Sequence, residues 1–342
     1  MINDLEQEIM ARKLTLKEGL KKTGGNCARM LLILGILTYA LGFLIMFIIK
    51  AKGTMLGIDI KTDREAGIIL GISKDKYNFW IGYLPCIIGD ITAIIIGIKT
   101  TKVKFKEDVF TSNKAPKMFV FIGTISCIGI GMISSIVYLV YSTIAKFYGI
   151  IIPQPDFSLP AQRGYLIMFL MYVCLIGPVL EEIIFRGFIL KSLQKYGNFT
   201  AILVSAILFS MFHLNLVQFI NPVLMGIVLA FITIKSKSIF PAMIAHIFNN
   251  TIAFTATGIS LLKMPVVEGI FGFVYLVMGI SALTIFITLY WKDFIEILKE
   301  DTRILKIYEK IKYSYSSSWS LAYIGFYMII VIGLMTATNI MK

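Results

Sequence analysis

The sequence predicts an all-α fold, a polytopic bundle of about 8–9 transmembrane helices with interfacial amphipathic helices at its edge. Three observations lead there. Hydrophobic residues make up 57% of the 342 and charged residues only 15%, well away from the composition of soluble domains. Mean hydropathy is +0.82. The apolar residues also gather into nine segments long enough to suggest membrane spans.

The segments fall near 30–49, 78–98, 118–142, 165–190, 198–216, 221–234, 238–257, 266–291 and 319–340. Positive charge alternates with them. Arg12, Lys13, Lys17, Lys21, Lys22 and Arg29 precede the first; Lys99, Lys102, Lys104, Lys106, Lys114 and Lys117 follow the second. Lys191 and Lys195, Lys235 and Lys237, and the basic stretch Lys292 to Lys312 fall on the same side if nine spans are counted. The positive-inside rule therefore predicts a cytoplasmic N-terminus. The loop 50–77 runs against it, carrying Lys50, Lys52, Lys61, Arg64, Lys74 and Lys76 on the opposite side. Trp80, Trp291 and Trp319 stand at segment ends, where an indole suits the headgroup region. The first segment is read as a retained span, because no small-residue cleavage signal follows it.

Helical periodicity at Ile2, Leu5 and Ile9, and again at Phe294, Ile297, Leu298, Leu305, Tyr308 and Ile311 among charges, predicts two interfacial helices. Ordinary solvated helices are an equal reading. The net charge of +13 is assigned to the cytoplasmic face and not to nucleic-acid binding. The lipid bilayer is the partner this composition demands. Cys27, Cys86, Cys127 and Cys174 are scattered, with no pair at metal or disulfide spacing.

Ionisable residues inside spans are costly and mark function by default. The chain has two histidines, His213 and His246, both in apolar runs. A carboxylate pair, Glu181-Glu182, lies late in the fourth segment after Gly177-Pro178. Pro178 lacks an amide hydrogen, so it should kink the helix or start a new half-helix. Residues four apart share a helix face, which pairs Glu182 with Arg186 and leaves Glu181 as the freer carboxylate. The same spacing joins Phe209 to His213 and His246 to Asn250. Asp90 and Glu268, the remaining in-span acids, are read as structurally paired or snorkelling.

The ordered set Glu181-Glu182-x3-Arg186, Phe209-x3-His213 and His246-x3-Asn250 resembles the three motifs of the CAAX-protease and bacteriocin-processing (Abi) family of intramembrane peptidases. The motif-bearing core covers 161–257. It is flanked by 1–160, with an interfacial helix and three accessory spans, and by 258–342, with further spans and a basic cytoplasmic loop. The resemblance implies an endopeptidase acting on a membrane-associated peptide or protein substrate. In it Glu181 and His213 activate water, His246 and Asn250 donate to the oxyanion, and Arg186 holds Glu182. Relatives trim prenylated proteins or act in peptide maturation, signalling and bacteriocin immunity. An Ile- and Lys-rich chain without organelle targeting fits a bacterial plasma membrane.

Rival readings stay open. No cofactor is favoured, but Glu181, His213 and His246 are three plausible zinc ligands with room for a water. Family members have been read both as metal-dependent and as glutamate peptidases. A non-enzymatic immunity or scaffold role, or an ion or solute pathway through the intramembrane Glu and His residues, is the other class of alternative.

Overall fold

The structure, a computed structural model, describes residues 2–57, 60, 62–63, 66–301 and 304–340. Lys61 and Arg64, two of the charges that oppose the expected topology, lie outside the described residues. The chain is a helix bundle. It is built from α1 (Ile2–Met55), α2 (Lys74–Thr100), α3 (Lys117–Phe147), α4 (Arg163–Gln194) and α5 (Asn198–Phe212). These are followed by α6 (Ile220–Ser236), α7 (Phe240–Leu261), α8 (Pro265–Asp301), α9 (Ile307–Ser314) and α10 (Ser318–Ile340). Each of the nine expected spans corresponds to one helix, α9 being the additional short one. Six helices are long and apolar enough to cross a membrane: α1, α2, α3, α4, α8 and α10. The chain is a multi-pass membrane protein.

The remaining strands are two, Ile68–Ile69 and Ile72–Ser73, paired antiparallel in the segment between α1 and α2. Leu70 and Gly71, both at positive φ, make the turn, as a two-residue hairpin requires.

The first expected interfacial helix is not separate. Residues 2–55 form one helix of 54 residues, which at 1.5 Å per residue runs roughly 80 Å, far beyond a bilayer core of ~30 Å. No helix breaker falls between the basic segment and the apolar one, so the helix continues through. Likewise α8 runs past its apolar stretch to Asp301, which leaves Trp291 inside the helix instead of at its end. Only 307–314 stands as a short separate helix.

A buried ion cluster ties this C-terminal part to the core. Asp301 accepts from the backbone N–H of Thr200 at 2.5 Å and from its hydroxyl at 2.7 Å, and it pairs with the buried Lys310. Gly197, at φ +132, sits so close that a Cβ there would overlap the Asp301 carboxylate. In the apolar core, α3 packs most extensively against α8. Gly129 and Gly279 meet where a Cβ at 129 would come within 2.5 Å of the Gly279 carbonyl, the small-residue contact by which membrane helices approach closely.

The short helices are what position the site. α5 has 15 residues and α6 has 17, rising only about 22 and 26 Å against a hydrocarbon core of ~30 Å. The fifth segment was expected to run to 216, but its helix ends at Phe212, and Leu214 takes a positive φ of 53°. The turn 213–219 is irregular and satisfies its own polar groups. Asn215 Nδ2 donates to the His213 carbonyl and to Gln218 Oε1, the Gln218 N–H donates to Asn215 Oδ1, and Tyr141 Oη donates to the Leu216 carbonyl. Non-helical backbone at membrane depth is tolerated where protein or a hydrated cavity surrounds it. Such a cavity lies beside it.

Candidate active site

The cavity has a volume of about 980 Å³. Six helices and two connecting segments contribute its polar wall, including Asp90, Glu181, His213, Asn215, His246 and Asn250. All the expected site residues gather at this place. Glu181, His213, His246 and Asn250 line the cavity, whereas Glu182 and Arg186 stand behind it, 0% and 1% exposed.

The carboxylate pair divides as helix geometry requires. Glu182 Oε1 accepts from Arg186 Nη1 at 2.8 Å, one turn away on the same helix. The same oxygen lies 2.9 Å from His246 Nδ1. His246 is thus held between the acids: its Nδ1 on Glu182 and its Nε2 3.7 Å from Glu181 Oε2. That second bond of Glu182 was not legible in sequence, since α4 and α7 are brought together only by folding. With Nδ1–H donated to Glu182, Nε2 is the ring atom left to face the cavity.

His213 is oriented by its own helix. Its Nδ1 lies 2.9 Å from the Phe209 carbonyl, which engages that nitrogen as a donor and leaves Nε2 as an acceptor. Phe209 does more than set this spacing. Its ring meets both imidazoles edge-on, at 5.2 Å for His213 and 5.7 Å for His246. It also lies under the Arg186 guanidinium at 4.6 Å, within cation–π range. Arg186 gains a third partner in the Gly226 carbonyl at 3.4 Å. One aromatic side chain therefore sets the mutual orientation of three polar groups.

Gly177-Pro178 neither kinks α4 into two helices nor stops it. Residues 172–176 widen into a π-helical turn, in which the Gly177 N–H donates to the Tyr172 carbonyl. In that register the Val173 carbonyl would receive from residue 178, a proline with no N–H. Asn250 Nδ2 supplies the missing donor at 2.9 Å. π-Bulges recur at functional sites because they shift side chains out of helical phase. A second π-helical stretch, 183–190, follows the carboxylate pair directly. The helix break predicted from sequence is thus realised as a widened turn, and Asn250 holds it.

Asp90 departs from its expected reading. It is 1% exposed, so it does not snorkel, and among the described residues neither of its carboxyl oxygens has a hydrogen-bond partner. It lines the cavity within electrostatic reach of Glu181. The intramembrane position was itself the signal that could have flagged it. Glu268 behaves as expected, exposed at the start of α8 and accepting from Ser260.

A zinc ion would need Glu181, His213 and His246 gathered around one point. Among the described residues no three His, Cys, Asp or Glu side chains converge closely enough to hold a metal ion. Both Nδ1 atoms are engaged by protein groups, and no step below is routed through a metal.

Comparison with known proteins points to the same segment. The family model described as type II CAAX prenyl endopeptidase Rce1-like matches residues 163–252, a stretch that includes every motif residue from Glu181 to Asn250. The Bacillus subtilis (strain 168) protein named "Putative membrane peptidase YdiL" is 37% identical over 78 residues, which are 22% of this chain and 32% of that protein. The chain thus matches about a third of that relative's length. No solved structure matches. The family resemblance carried by the three motifs is borne out for this segment.

Proposed function

We propose that the chain, carrying a CAAX-protease-like segment at 163–252, is an intramembrane endopeptidase that hydrolyses a peptide bond of a membrane-associated peptide or protein. The observation that carries this reading is the convergence of Glu181, His213 and His246 from three helices at one cavity, with Glu182 and Arg186 buried behind them. Glu181 takes a proton from water, and His213 Nε2 accepts a second hydrogen bond that orients that water. The water oxygen bonds to the scissile carbonyl carbon. His246, held by Glu182 through Nδ1, donates from Nε2 to the developing oxyanion when the ring carries both protons, a form that the Glu182 carboxylate favours. Asn250 has a second amide hydrogen free for the same oxygen. Glu181 then returns its proton to the leaving amine as the C–N bond breaks. Under the positive-inside rule the N-terminus is cytoplasmic, in a bacterial plasma membrane.

Purified wild type, His213→Ala and His246→Ala, assayed on a broad set of lipid-anchored or membrane-spanning peptides, test this. Both variants should remain membrane-inserted. His246→Ala should lose roughly a hundredfold to a thousandfold in rate, the usual effect of removing one oxyanion donor. Near-normal turnover in His246→Ala contradicts its role. Activity abolished by chelation and restored by zinc replaces this mechanism with the metal one. Wild type that cleaves nothing in a broad survey, while the variants lose a protective phenotype, supports the immunity reading.

A further inference from the structure

Buried acids in this protein are answered by cations or donors, with one exception. Asp301 has Lys310 and Thr200, and Glu182 has Arg186 and His246. Asp90 has neither: both oxygens are buried without a hydrogen-bond partner among the described residues. An ionised carboxylate in that state carries the full loss of its hydration.

The surroundings offer no cation in compensation. α2, which bears Asp90, packs against α1 and α4. The titratable groups on these elements near Asp90 are Glu181, Cys86, Tyr172, Tyr83 and Tyr39. Arg186 of α4 is turned to Glu182. The one charged group that acts on Asp90 is therefore another carboxylate, Glu181, on the same cavity wall. Two carboxylates that share a poorly hydrated site resist being ionised together.

We propose that Asp90 and Glu181 form a carboxyl pair holding one proton between them, with Asp90 as a positioning residue that sets the ionisation of the working base. This deepens the peptidase reading at the same site and rests on it for its kinetic part. In the active form the pair carries a single negative charge. Glu181 is free to accept the proton of the attacking water, and Asp90 keeps its own throughout, so turnover returns the pair to its starting state. A second ionisation would place another negative charge beside the developing oxyanion and oppose it.

Infrared spectroscopy of the purified full chain tests the pair without any substrate. Wild type at neutral pH should show the C=O band of a protonated carboxyl. Asp90→Asn should abolish that band, because Glu181 alone then ionises, whereas Glu181→Gln should retain it at a changed frequency. A band that survives Asp90→Asn unchanged, or its absence from folded wild type at every pH, overturns the proposal. Should Asp90→Asn fail to fold, Glu181→Gln still decides, since an unmoved band there excludes coupling. In the kinetic arm, Asp90→Asn should move the alkaline limb of the kcat/KM profile upward by about one pH unit or more, the coupling expected of an interacting pair. Superimposable profiles count against it. If the infrared results hold and wild type cleaves no peptide, the carboxyl pair stands and the peptidase reading fails.

Discussion

Glu181 and Glu182 are neighbours in sequence with opposite surroundings, and their substitutions should separate accordingly. Glu182 bridges Arg186 and His246 in full burial, so Glu182→Ala leaves a buried guanidinium unpaired. Breaking such a pair costs about 3–5 kcal/mol. Detergent-solution melting should show that loss, together with falling activity as His246 is released. Glu181 faces the cavity and holds nothing else in place except the distant His246 Nε2. Glu181→Gln should therefore melt near the wild-type temperature and be inactive. Equal destabilisation by both variants would sink this division of labour. The division was half legible in the sequence: i,i+4 spacing gave the Glu182–Arg186 pair, but nothing local places His246 on the same oxygen.

The widened turn of α4 is the feature to test among elements. Pro178 removes the N–H that the Val173 carbonyl would receive, and Asn250 of α7 supplies a replacement. The two residues should be energetically coupled. Asn250→Ala in the wild-type background leaves that carbonyl unanswered, whereas in a Pro178→Ala background the helix has its own donor at 178. A double-mutant cycle on stability should yield a coupling of about 1 kcal/mol. Additivity within ~0.5 kcal/mol would show that Asn250 does not hold the turn.

A second element, the segment 148–162, is strapped over the cavity mouth by Lys74 pairing with Asp156 at 2.7 Å and donating to Ser158 at 3.0 Å. Partial burial alone would push the Asp156 carboxyl up, but hydrogen bonds from Lys74 and Ser158 outweigh this and hold it below the ordinary carboxylate range. A depressed carboxylate stabilises the folded strap above its unfolded-state value, and that contribution is lost as pH falls through the folded value. Because the pair is largely exposed, the effect is at most about 1 kcal/mol. Hydrogen exchange should therefore show 156–162 opening faster as acid conditions protonate Asp156, and Asp156→Asn should exchange at the faster rate at neutral pH. Identical exchange in the two proteins at neutral pH would remove the strap.

For the whole molecule, the cavity and the basic charge lie at opposite ends. Tyr77, Asp156 and Phe157 line the cavity, on segments that follow odd-numbered spans, whereas the Lys-rich segments 12–29 and 99–117 precede or follow even-numbered crossings. Reporter fusions at the N-terminus and within 99–117 should give a cytoplasmic signal. Phe157→Cys in intact cells should then react with a membrane-impermeant thiol reagent. A cytoplasmic label at 157, or an external reporter signal at 99–117, reverses the orientation and with it the side from which substrate enters.

The sequence by itself determined that the chain is a membrane helix bundle, because apolar composition and segment length are summed over many residues and survive any arrangement of the helices. It also determined the three motif pairs, because i,i+4 neighbours are dictated by the helix itself. Tertiary structure decided the rest. The Glu182–His246 bond, the place of Phe209 between both imidazoles and Arg186, and Asn250 on the Val173 carbonyl all cross between helices. Asp90 shows the limit most sharply. A lone aspartate in an apolar run reads as paired or snorkelling until three-dimensional packing shows that no donor reaches it and that its charged neighbour is another acid.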